Sequence, residues 1–137
     1  MTYTSCWIRF PSDRALQRRI NEGEFSGDGD THHFTTCDFP PAHHNGYWTT
    51  ALLAWCKAQN MEHCWVGDLT LVAKVKRDQI ISFIDHIYGS DPAYIDPKFM
   101  LTWRGDAYLV NRLTNLKAFV HQNLSHRLWY ELVADEF

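Results

Sequence analysis

Apolar residues recur at two periods along this chain, and the switches between them divide it into elements. Over 47–60, "YWTTALLAWCKAQN", the residues Trp48, Leu52, Trp55 and Cys56 fall on one helical stripe with Ala51 beside it. Over 77–89, Ile80, Ile84 and Ile87 form a second stripe flanked by Ile81 and Tyr88, and Gly89 stands where a helix stops. A third helix is predicted over 106–124, where Leu109, Leu113, Leu116, Val120 and Leu124 repeat every three or four positions. A shorter one is predicted over 12–23, with Ser12 as cap, Asp13 in the first turn, Leu16 and Ile20 on one face, and Gly23 closing it.

Between the helices the pattern changes to β-type. "SCWIRF" (5–10) is a short strand halted by Pro11, and "HFTTCDF" (33–39) alternates Phe34 with polar residues until "PPAHHNG" breaks it. Residues 63–67 and 69–77 read as two strands joined at Gly67-Asp68. In the second, Leu69, Leu71, Ala73 and Val75 alternate with Thr70, Lys74 and Lys76. "RLWYELV" (127–133) closes the chain as a strand. The order β-α-β-α-β-β-α-α-β lacks a strict βαβ rhythm. It predicts one α+β domain over residues 1–137, a mostly antiparallel sheet of about 4–5 strands packed on one side by about four helices.

A chain of 137 residues suffices for one core. Its 45% hydrophobic and 21% charged residues describe a folded protein rather than a disordered one. The net charge of −3 and the lack of any Lys/Arg-rich run argue against direct nucleic-acid binding. No apolar stretch approaches the roughly 20 residues of a membrane span, and the N-terminus shows no export signal. Four cysteines without a C-x-x-C pair then point to reduced thiols and a cytoplasmic location.

The candidate chemistry is concentrated in "THHFTTCDFPPAHHNGYW", which holds His32, His33, Cys37, His43 and His44. Zinc takes about four nitrogen or sulfur ligands in a tetrahedron. The spacing H-H-x₃-C-x₅-H-H matches no familiar finger, and adjacent histidines on a strand point to opposite faces. At most His32 or His33, Cys37, and His43 or His44 can converge, and a fourth ligand has to come from elsewhere, with His63 or Cys64 as candidates. The expectation is therefore a surface segment with neither metal nor cofactor. For a cysteine nucleophile, Cys64 follows His63 directly and faces away from it, Cys56 lies in an apolar stripe, and Cys37 has no supporting signature. The "GDGD" at 27–30 lacks the flanking elements and the lysine of a phosphate loop.

Charge distribution says more. No Lys or Arg stands between Arg19 and Lys57, whereas Glu22, Glu24, Asp28, Asp30 and Asp38 do. Asp78, Asp85, Asp91 and Asp96 occupy another base-free stretch, and Glu131, Asp135 and Glu136 follow Arg127. Aromatics make up 15% of the chain, with six Trp, and Tyr47, Trp48, Trp65 and Tyr94 lie among or near these acids. Acidic ground with aromatic anchors suits docking to a basic protein. The expected partner-binding residues are Glu24, Asp28, Asp30, Asp38, Tyr47 and Trp48, with no catalytic residue. Small size, acidic loops and spare aromatics are the physical description of an inhibitor that covers a toxin, such as a nuclease, as bacterial immunity proteins do. Phage-encoded inhibitors of host defence fit the same description. The contrasting expectation is a small metal-dependent or cysteine/histidine hydrolase built on the His32–His44 cluster.

Overall fold

The computed structural model describes residues 4–22, 39, 48–89 and 107–136. The described elements, in chain order, are β1 (Thr4–Arg9), α1 (Arg14–Asn21), α2 (Trp48–Gln59), β2 (His63–Val66), β3 (Thr70–Lys76), α3 (Arg77–Gly89), α4 (Ala107–Asn123) and β4 (Trp129–Glu136). The four strands form one antiparallel sheet in the order β1-β4-β3-β2, and the architecture is α+β. The expected strand at 33–39 lies outside the described residues except for Phe39. That residue is buried, and its N–H donates to the Cys6 carbonyl at 2.8 Å.

Strand period explains the two faces of the sheet. Cys6 and Ile8 of β1, Tyr130, Leu132 and Ala134 of β4, and Leu71, Ala73 and Val75 of β3 all point to one side and are buried. Helix α2 lies against β4, β1 and β3 there, while α3 packs on β3, β4 and α4. The predicted helical stripes supply the other half of this core: Trp48, Ala51, Leu52, Trp55 and Cys56 from α2, Ile80 and Ile84 from α3, Leu116 and Val120 from α4. Phe83 joins them, with its ring 5.1 Å from Trp55 and 5.6 Å from Phe39.

On the other side of the sheet, Trp7, Val133, Val72 and Cys64 form one row across the four strands. In the next row Arg9 pairs with Glu131 at 2.8 Å, and Lys74 stands opposite Glu131 in the register. Lys74 and Lys76 place their ammonium groups 5.0 and 4.8 Å from the centre of the Trp129 ring.

Local chemistry sets the ends of the elements. Asp13, not Ser12, caps α1: its carboxylate accepts the Leu16 N–H at 3.1 Å and its carbonyl accepts the Gln17 N–H. Gln79 reaches back to the Lys76 N–H at 2.7 Å, half of a capping box for α3. At the end of α2, Asn60 adopts φ 54°, the Met61 N–H bonds to the Cys56 carbonyl and the Asn60 N–H to that of Lys57. These bonds define a Schellman motif with Asn in the usual glycine position.

Two sequence expectations need correction. Leu69 is not a core strand residue: it sits in the three-residue turn between β2 and β3, where Gly67 takes φ 71°, and it is half exposed. The last strand begins and ends later than 127–133. Residues 125–128 turn, with the Leu128 N–H bonded to the Ser125 carbonyl, and the strand continues through Asp135 and Glu136. Those acids are strand residues because β4 is central: Thr4 flanks Glu136 and Thr70 flanks Asp135.

Candidate interaction surface

The expected partner-binding residues separate into two groups. Glu24, Asp28, Asp30, Asp38 and Tyr47 lie outside the described residues, as do His32, His33, Cys37, His43 and His44. Trp48 is described, and it is not a surface anchor. It is fully buried, with its ring 4.9 Å from Phe39, and its N–H donates to the Thr4 hydroxyl at 2.8 Å. The physical reason is its place on the apolar stripe of α2, which faces the sheet.

His63 and Cys64, the candidates for a fourth metal ligand, are neighbours on β2 and project to opposite faces. The His63 Nδ1 lies 2.7 Å from the Met61 carbonyl, so Nδ1 carries the proton in that bond. Among the described residues no group of three or more His, Cys, Asp or Glu side chains converges. Cys56 and Cys64 are free thiols, the first buried and the second exposed, and Cys6 is buried. Burial pushes the Cys56 thiol up to about 12, far from a nucleophile's range.

Among the described residues, three of the acids segregated along the chain have a basic partner. Asp78 pairs with Arg77 at 3.0 Å, Asp85 with Lys117, and Glu131 with Arg9. Asp135 accepts the Thr70 hydroxyl at 2.7 Å. Glu136 accepts the Thr49 hydroxyl at 3.2 Å, at the start of α2, where the helix dipole favours a carboxylate.

The stretch leading into and through the β2–β3 turn has no base of its own, although Lys74 stands across the ladder from Glu62. From Ala58 to Ala73 there is no Lys or Arg. Within it Glu62 and Asp68 are exposed, beside Trp65 at 45%, Val66 at 59% and Leu69 at 49% exposure. Among the described residues, three of the four exposed large hydrophobic side chains thus lie on the β2–β3 hairpin, the fourth being Trp129. Strand β2 is also an edge of the sheet among the described residues. Its free side follows from the ladder: Lys74 N–H donates to the Glu62 carbonyl, so Glu62, Cys64 and Val66 bond inward to β3. The backbone groups of His63 and Trp65 therefore point outward. An edge with unpaired N–H and C=O groups, flanked by apolar side chains and carrying no Lys or Pro, is a template for another strand.

At the β2–β3 hairpin Glu62, Trp65, Val66, Asp68 and Leu69 are all exposed, and strand alternation sets Trp65 on the helix-packed face of the sheet and Val66 on the other. Sequence reasoning noted Trp65 as an aromatic near acids and did not place it at an open edge. The signal available was the base-free run from 58 to 73. No protein-family model, curated protein or solved structure matches this chain.

Proposed function

We propose that this protein works by binding another protein, as a small inhibitor of the bacterial immunity type that covers a basic surface of its target, such as a nuclease domain. The observation that carries this reading is the β2–β3 hairpin, where Trp65, Val66 and Leu69 are exposed near the exposed carboxylates of Glu62 and Asp68, on a strand that is a sheet edge among the described residues. A large rigid ring beside an open strand gives affinity, and the carboxylates steer a basic partner to it. Such a role calls for a cytoplasmic protein without a membrane anchor. No helix among the described residues is long and apolar enough to cross a membrane.

The test uses the product of the adjacent reading frame, co-expressed and purified with this chain. Trp65→Ala should weaken the complex by about thirtyfold or more, the range of an interface hot spot. Glu62→Lys with Asp68→Lys should slow association at low salt, and the difference should shrink in high salt as screening shortens the Debye length. A complex that forms with unchanged rate and affinity in all three substitutions overturns the proposal.

A further inference from the structure

We infer that the β2 edge also pairs with the β2 edge of a second copy, antiparallel about a two-fold axis at Cys64, so that the free protein is a weak dimer. The inference uses the surface of the proposed function but needs no foreign partner. Its first support is the phase of the backbone. His63 and Trp65 point outward and are two residues apart, so a two-fold at Cys64 sets His63 opposite Trp65 of the second copy. Both N–H and both C=O groups of each residue then find partners, which gives four hydrogen bonds. An axis midway between Cys64 and Trp65 would match outward groups with inward ones and give none.

The second support is charge. Residues 63–66, HCWV, carry no acid and no Lys or Arg, so the strand that pairs does not repel its own copy. In this register Glu62 faces Val66 of the second copy rather than another acid. The result is a continuous eight-stranded sheet in which Trp65, half exposed in the single chain, gains His63 of the second copy as its cross-strand neighbour.

The register makes a geometric demand. Cys64 faces Cys64 across a non-hydrogen-bonded pair, where Cα atoms lie roughly 4.5 Å apart, within the span of about 4.4–6.8 Å that a disulfide bridges. The experiment uses the purified chain with Cys37→Ser, which leaves Cys64 as the one exposed thiol among Cys6, Cys56 and Cys64. Sedimentation of the reduced protein should show a monomer–dimer equilibrium that shifts with concentration. Treatment with diamide should then yield a cross-linked dimer, two thiols giving two electrons and two protons to the diazene, and Cys64→Ser should abolish the cross-link while leaving the reversible dimer.

Val66→Glu sets carboxylates opposite Glu62 twice per dimer and should raise the dissociation constant by roughly two- to thirtyfold; Val66→Lys should lower it. Val66 is exposed, so both variants should fold. A chain that stays monomeric at every concentration overturns the inference. So does a dimer that is not cross-linked at Cys64 or does not respond in opposite directions to the two charges. A monomeric chain that still captures its basic partner sinks the dimer alone, and a dimer that captures none sinks the proposed function alone.

Discussion

Replacing Tyr130 by Phe removes one oxygen from the place where three segments meet. The Tyr130 side chain is fully buried on the core face of β4. Its hydroxyl oxygen accepts the Ser125 N–H at 2.7 Å, in the turn after α4, and its proton points to the second carboxylate oxygen of Asp13 at 3.4 Å. The ring meets Phe10 edge-on at 6.1 Å, a contact that Phe retains. The loss therefore falls on the hydroxyl. Leaving a backbone donor without its acceptor costs about 1–3 kcal/mol; Ser125 is only part-buried, so water reaches it and the lower end, about 1–2 kcal/mol, is expected. Asp13 loses little, because 3.4 Å is a weak bond and its other oxygen still caps α1. In urea unfolding the midpoint should fall with unchanged slope. A double-mutant cycle with Asp13→Ala should show little coupling, most of the tyrosine's effect being spent on Ser125. An unchanged midpoint, or a coupling that accounts for the whole effect, would refute this account.

Two further outcomes are expected. Ile84→Ala should destabilise the fold by roughly 2–4 kcal/mol through lost burial and a cavity beneath the sheet, read as a lowered melting temperature; an unchanged value contradicts the core assignment of α3. Burial raises the Cys56 and Tyr130 ionisations, so the unfolded chain releases those protons first. Stability should hold below the ordinary thiol value and fall as pH rises from about 9 toward 12, by at most about 1.4 kcal/mol per unit for each group. Cys56→Ala should flatten the lower part of that decline in denaturant titrations across the range, and an equally steep decline in the variant would exclude Cys56 as its source.

Helices with one buried face were legible because burial imposes a period: Trp48, Leu52, Trp55 and Cys56 announced α2, and Ile80 and Ile84 announced α3. The same stripe already implied that Trp48 is inside, and its proximity to acids in the sequence was the weaker sign. The end of β4 was hidden because nothing local distinguishes Asp135 and Glu136 from a polar tail. Their strand character comes from Thr70 and Thr4 on neighbouring strands, contacts with residues far away in sequence. The cap of α1 was misplaced by one residue because Ser12 and Asp13 are both good caps, and only the hydrogen bond to Leu16 chooses between them. The exposed edge was invisible for a related reason. His63, Cys64, Trp65 and Val66 show no alternation of polar and apolar residues, and whether a strand is central or peripheral is a property of the whole sheet.

The position of β4 has a consequence for how the protein comes into being. The last strand in the chain lies between the first and the third, so β1 and the β2–β3 hairpin have no ladder to each other until residues 129–136 have been synthesised. A ribosome carrying the preceding residues holds helices with apolar stripes and a hairpin with no sheet to join. The closing step joins residues more than a hundred positions apart, such as Ile8 and Leu132, a pairing of the slow, non-local kind. During that interval the edges that β4 will later pair stay open to pairing with other chains.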